Sequence, residues 1–357
     1  MEYRRLGKTQ LQVSAIAFGG IRLGNLDQEL VTQLVKQAYE GGINYIDTAR
    51  GYGLSEVRLG EAIRQLGIRD KMILSSKIIR RELSQFQEDF ATTMRNLQTD
   101  YLDILFVHDV STRANWDKVR TNGVLDYMRE LKDKGMIRHI CCSTHDAVIG
   151  EEMMRSGYFE AVMLAYNPIN PELEETLIPL AVELDMGVIV MKPLGGGVLT
   201  PEKSAQMGFS VTAAECLRFA ASNKQVSTVI PGMEKPEHVA EALAVASAPL
   251  EMSEEERKEL MGRISIRGRN YCRGCGYCLP CPKGIPIPTV LALLGRWEVF
   301  NGNNWAQMHS IATEYKEKVP DDQLPTNCVA CGACVQRCPF NLPVPELMKQ
   351  AANMRRY

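Results

Sequence analysis

No stretch of this chain is apolar for long enough to cross a bilayer. The opening residues, MEYRRLGKTQLQVS, lack the apolar core of a signal peptide. There is neither a basic stripe suited to nucleic acid nor a polybasic block suited to a membrane surface, and the formal net charge is −2. No G-x-G-x-x-G follows the first strand candidate, which removes the dinucleotide fingerprint of an open, doubly wound sheet. These absences leave a cytoplasmic enzyme as the expectation, with neither nucleic acid nor membrane among its partners.

What is present begins with size. At 357 residues the chain suits two domains better than one, and 45% hydrophobic residues allow each a real core. Over roughly the first 250 residues, a length typical of one closed barrel, apolar runs alternate with amphipathic stretches. The strand candidates are SAIAFG, NYIDTA, MILSSK, YLDILFVH, IRHICCST, AVMLAYN, GVIVMKP and VSTVIPG. Helix-like segments run over 27–40, 55–66, 84–97, 114–134 and 212–222, with Ser55, Ser84 and Thr212 as N-caps and Gly67 and Gly135 as C-terminal stops. Strands that are apolar throughout describe a parallel sheet covered by helices, and eight at even spacing favour a (β/α)₈ barrel. YRRLG and LQVS suit a hairpin that plugs the barrel floor. The charged stretch EMSEEERKEL closes this domain, RISIRGRNYC reads as a linker, and the expected domains are 1–262 and 263–357.

In such a barrel the chemistry sits at the C-terminal ends of the strands. Those ends carry Asp47, Tyr52 five residues on, Lys77 and His108, where valine, isoleucine or leucine would otherwise fill the interior. A lysine and an aspartate beside a tyrosine lower the phenol's pKa, because the ammonium favours the phenolate. Histidine then orients a carbonyl oxygen while tyrosine acts as general acid. Each residue alone has an equally good structural reading. Four on three successive strands do not.

Over about residues 1–255 the chain resembles the aldo-keto reductases. The resemblance is carried by YIDTARGYG with SEVRLGEAI, by SSK, YLDILFVHD and GMIRHI, and by Tyr166–Asn167 and IPG at 230–232. It implies a catalytic tetrad of Asp47, Tyr52, Lys77 and His108, with NAD(P)H-dependent reduction of a small-molecule carbonyl or oxidation of the corresponding alcohol. Cofactor contacts are implied at Gly20, Asp47, Ser143, Thr144, Asn167, Lys192, Gly195, Gly232, Lys235 and Glu241. Several family positions differ. Met163 stands where a glutamine usually holds the carboxamide, and Met191 where a tyrosine stacks on the nicotinamide. Glu234 stands where a hydroxyl faces the 2′-phosphate, and Ala242 where an asparagine meets adenine. A carboxylate beside a phosphate is repulsive, so both NADP and NAD stay open. Arg22, Arg50, Arg80 and Arg81 follow the first three strands and read equally as anion contacts or as solvated arginines.

Eleven cysteines are unusual for a cytosolic chain, and eight cluster near the C-terminus, which reads as metal binding rather than disulfides. Cys272, Cys275, Cys278 and Cys281 form C-x₂-C-x₂-C-x₂-C-P. Cys328, Cys331, Cys334 and Cys338 form the bacterial ferredoxin run C-x₂-C-x₂-C-x₃-C-P. Two [4Fe-4S] clusters are expected. By the two-cluster rule, Cys272, Cys275 and Cys278 share one with Cys338, and Cys328, Cys331 and Cys334 share the other with Cys281. Zinc is the competing metal, although its sites usually separate two cysteine pairs by a longer loop. The stretch between the arrays has helical periodicity and resembles a helical ferredoxin domain. Two function classes follow. One is a carbonyl reductase. The other is an electron-transfer or redox-sensing protein whose barrel binds a ligand, with an external electron carrier as partner.

Overall fold

The structure, a computed structural model, describes residues 1–206, 209–267, 272, 276, 278–300, 305–338 and 342–356. They form two compact units. The first comprises Met1–Gly195 with Thr212–Lys258, and the second Gly196–Val211 with Glu259–Tyr357.

The first unit opens with an antiparallel hairpin of β1 (Tyr3–Arg5) and β2 (Gln12–Ser14). Eight parallel strands follow: β3 (Phe18–Gly19), β4 (Tyr45–Asp47), β5 (Ile73–Ile78), β6 (Leu102–Val107), β7 (Ile137–Thr144), β8 (Ala161–Ala165), β9 (Gly187–Met191) and β10 (Thr228–Ile230). All eight strand candidates are strands, and each pairs with its sequence neighbours. Bridges at Ile16–Val229 and Gly19–Gly232 bring the first strand to the last, so the sheet closes as a (β/α)₈ barrel. The interior is filled by Val13, Tyr45, Ile104, Phe106, Met163 and Ile189, with Leu6 of the hairpin turn packed into the same cluster. At the hairpin turn, the Lys8 amide donates to the Asp185 carbonyl, just before β9.

Several local expectations change. The helix expected over 114–134 is two, Arg113–Thr121 and Val124–Asp133, broken at Gly123 with φ +78°. Thr212 caps its helix in a reciprocal box with Glu215, but Ser55 and Ser84 cap nothing and lie inside helices that begin after Leu54 and Glu82. The Ser55 hydroxyl instead donates to the Gly20 carbonyl at 2.8 Å and meets the Thr48 hydroxyl. Gly67 and Gly135 do end their helices with positive φ. Helix Glu254–Arg267 continues through RISIR, which is therefore not linker; residues 268–271 lie outside the described residues.

The second unit has its own core. Helices Ile287–Phe300, Trp305–Lys318 and Val344–Ala351 bury Val290, Leu294, Trp297, Ile311, Tyr315 and Met348 against one another. An Arg296–Glu314 ion pair at 2.5 Å ties the first two of these helices. Among the described residues no helix is long and apolar enough to cross a membrane.

Candidate active site

The barrel's C-terminal ends gather the four side chains expected there. Asp47 is the last residue of β4 and pairs in register with Ser75 of β5. Lys77 lies two residues further along β5 and, at 1% exposed, belongs to the core. Its ammonium donates to Asp47 Oδ2 at 2.5 Å and to the Thr48 carbonyl at 2.6 Å. The other carboxylate oxygen accepts from the Ser75 hydroxyl at 2.7 Å, and Ser75 in turn accepts from Tyr45. A charge pair this deep survives only when its remaining lone pairs and protons are occupied. Ser75, Thr48 and Tyr45 supply that occupancy. The sequence reading missed them, although the serines of SSK were a visible signal.

Tyr52 lies over this pair, with the Lys77 ammonium 5.0 Å from its ring centroid. The His108 ring meets it edge-on, with centroids 5.8 Å apart. The four expected residues therefore do converge, and one electrostatic expectation is corrected. The Tyr52 phenol is held above its ordinary pKa, not below it: burial raises it, and Asp47 adds to that, while Lys77 pulls down less strongly. The ammonium thus offsets burial rather than producing a resting phenolate. Lys77 itself is held above its usual value. Burial works against the charge, and the facing Asp47 and Tyr52 outweigh it.

Burial also drives the His108 imidazole down to about 3, assisted by the Lys77 ammonium, so the ring is neutral at ordinary pH. Its Nδ1 is buried and has no hydrogen-bond partner among the described residues. Behind it lies Arg81, 7% exposed. The Arg81 guanidinium donates to the main-chain carbonyls of His108, Asp109 and Ile79. This arginine clamps the ends of β5 and β6. Arg50 and Arg80 both pair with Asp89, and Arg50 also reaches the buried Glu56.

The positions implied for the cofactor fall on the same rim with different jobs. Ser143, near the end of β7, is 1% exposed and accepts from the Asp109 amide at 2.8 Å, so its own hydroxyl proton can be turned to a ligand. Met163 pairs beside it in β8, and Met191 ends β9. Thr144 and Asn167 are engaged by the protein. The Thr144 hydroxyl exchanges bonds with Asp146, and Asn167 accepts from the Ile169 and Asn170 amides while donating to the Lys192 carbonyl. Gly20 is needed for close packing, since a Cβ there would meet the Asp47 carbonyl and the Ser55 hydroxyl at 3.0 Å. At Gly232 a Cβ would press on Ile21 at 3.1 Å. Gly195 has φ +58° and donates its amide to the Lys192 carbonyl. Lys235 precedes helix Pro236–Ser247 and Glu241 lies on it; both are exposed.

In the second unit, Cys281, Cys328, Cys331 and Cys334 line one cleft together with Cys278. Cys272, Cys281, Cys328, Cys334 and Cys338 pack against the helical core, while Cys331 is exposed. Cys275 lies outside the described residues. Five thiols drawn from both arrays line this one cleft, and thiolates are the soft donors that an iron–sulfur cube takes.

Comparison with known proteins agrees with both units. Residues 15–212 match the model of the Aldo/keto reductase family, which covers more than half of the chain. Residues 268–342 match a 4Fe-4S dicluster domain. The NADH-specific methylglyoxal reductase of Escherichia coli (strain K12) is 29% identical over 225 residues, 55% of this chain and 68% of that protein. The holo form of an aldo-keto reductase from Bacillus halodurans has the same fold, with a TM-score of 0.64 at 24% identity, covering 73% of this chain and 96% of the other. So has an aldo/keto reductase from Klebsiella pneumoniae in complex with NADP and acetate, with a TM-score of 0.60 at 22% identity over 73% of this chain and 94% of the other.

Proposed function

Because the chain belongs to the aldo/keto reductase family, we propose that this oxidoreductase moves a hydride between a nicotinamide dinucleotide and the carbonyl carbon of a small aldehyde or ketone, in either direction. The observation that carries this reading is the buried Lys77–Asp47 pair at 2.5 Å with Tyr52 directly above it and His108 at its edge. A protonated phenol beside a fixed ammonium is a general acid whose conjugate base is stabilised as soon as it forms. Tyr52 gives its proton to the carbonyl oxygen. Lys77 stabilises the phenolate left behind, and Asp47 with Ser75 keeps Lys77 in place. His108, neutral and clamped by Arg81, donates from Nε2 to the same oxygen and so fixes the face of the carbonyl.

A bound dinucleotide would supply the hydride. Residues that fit it are Ser143, whose hydroxyl proton is available beside the hydride site, and Gly195, Gly232 and Lys192 on the last loops, where barrels commonly hold phosphate. The Escherichia coli relative is named for NADH, and the Klebsiella structure holds NADP; Glu234 at the adenosine end would repel a 2′-phosphate, which leaves NAD as open as NADP. In the second unit we assign [4Fe-4S] clusters to the two arrays, one of them on Cys281, Cys328, Cys331 and Cys334.

The test is Tyr52→Phe in anaerobically purified protein. Carbonyl turnover should fall by about 10²–10⁴-fold, while nucleotide affinity stays near that of the wild type. Unchanged turnover in the variant, or no nucleotide binding by the wild type, would leave the electron-transfer reading in its place.

A further inference from the structure

The cysteine arrays differ in charge from the rest of the chain. Residues 268–290 carry Arg269, Arg273 and Lys283 and no carboxylate. Residues 323–345 carry Arg337 and again no carboxylate. Over the whole chain acidic side chains slightly outnumber basic ones, 43 to 41, so the two arrays are a local excess of positive charge.

The structure places two of these cations at the cysteine cleft. Lys283 lines it and is exposed. Arg337 is exposed as well, and its guanidinium donates to the carbonyl of Pro280, the residue before Cys281, at 3.4 Å. Two large apolar side chains are open to solvent on the same arrays. Val329, which lines the cleft, is 60% exposed, and Leu279, directly before Pro280, is 42% exposed. Ala330 and Gly332 take left-handed conformations, with φ +51° and +77°, and around this short bend Val329 and Cys331 both stay exposed. Among the described residues that line the cleft there is no carboxylate. Cations near thiolate-bound iron would offset its negative charge wherever they stood. That role does not call for an exposed valine and leucine beside them.

We propose that this face of the second unit docks an acidic electron-carrier protein, with Val329 and Leu279 at its apolar centre and Lys283 and Arg337 on its rim. An apolar centre with a polar rim is the usual build of a protein interface. Opposite charge across the rim speeds the encounter and orients it. Electron-transfer encounters bury little surface, less than about 1,200 Å², so a patch of this size is enough. Cys331 brings a ligand of the assigned cluster to the same surface. One electron passes between carrier and cluster, one side losing what the other gains, and no bond forms or breaks. The inference rests on the cluster assignment made above and is independent of the hydride reading.

The experiment titrates anaerobically purified protein with two acidic carriers, a bacterial ferredoxin and a flavodoxin, at low and at high salt. Iron and sulfide are assayed in every sample. The wild type should bind at least one carrier at low salt and bind it more weakly at high salt. Lys283→Glu combined with Arg337→Glu should raise the Kd by about 10–100-fold at low salt, and the difference from wild type should shrink at high salt. Val329→Ser should raise it by about two- to fivefold at both salts. Where the double reversal loses iron, Lys283→Gln is read in its place, with a rise of about threefold. A cluster-loaded wild type that binds neither carrier overturns the proposal. So do charge variants that shift the cluster's reduction potential and leave the Kd within about twofold, because the cations would then serve only the cluster. A wild type that self-associates through this face, and loses that association in the variants, overturns it too. A wild type without iron and sulfide sinks the cluster assignment first, and this surface falls with it.

Discussion

The two units solve opposite problems with polar side chains. The barrel puts charge into its core: Lys77 and Asp47 are 1% and 5% exposed, and Ser75, Thr48 and Tyr45 satisfy what the pair leaves over. The second unit keeps its core apolar around Trp297 and Tyr315 and packs its described thiols in or against that core, with Cys278 buried and Cys331 exposed. The first site is pre-organised by the fold, so its geometry exists before any ligand arrives. The second offers soft thiol donors, and a metal bound by them would help to form the local structure around it. A change in the barrel site should therefore be felt in folding, and a change among the cysteines in metal content.

The sharpest way to break this contrast is Lys77→Met. Removing one partner of a buried pair leaves the Asp47 carboxylate uncompensated and should destabilise the barrel by about 3–5 kcal/mol. Denaturant unfolding followed by barrel tryptophan fluorescence, chiefly Trp116, reads this, while iron and sulfide content per folded chain should not change. A variant as stable as the wild type would mean that the pair is not buried as described.

Next in size is Cys281→Ala. If Cys281 completes the cube of Cys328, Cys331 and Cys334, iron and sulfide should fall by about half, and barrel stability and nucleotide affinity should hold. Unchanged iron would exclude Cys281 as a ligand. Complete loss would mean that the two cubes stand or fall together, and the contrast would shift from ligand-by-ligand assembly to a single cooperative metal core.

How far each unit could be read from the sequence follows the same division. The barrel strands were legible because a strand covered on both faces is apolar throughout, and Asp47, Lys77 and His108 stood out as interruptions of that pattern. The break at Gly123 was harder to read, because 114–134 keeps one apolar face on both sides of it and only a left-handed φ separates the halves. The sign of the Tyr52 shift could not be read at all. Charge partners are visible in a sequence, but the desolvation that outweighs Lys77 depends on what packs over the ring. The cysteine arrays were legible through spacing alone, because cluster ligation is a local constraint on the chain.

The smallest effect refines the barrel side of the comparison through pH. His108 is held down at about 3, chiefly by burial, against an unfolded value of about 6.5. Between these two values the unfolded chain takes up a proton that the folded barrel refuses, so acid favours unfolding. The stability contributed by a neutral His108 is fully present above about pH 6.5 and is lost as the pH falls toward 3. Melting temperatures of wild type and His108→Gln at pH 7 and pH 5 test this: the wild type should lose more on acidification, because glutamine has no proton to gain. Equal losses would mean that His108 titrates freely in the folded barrel. In that case the orphaned Nδ1 is reached by solvent, and the mouth is wetter than its burial implies.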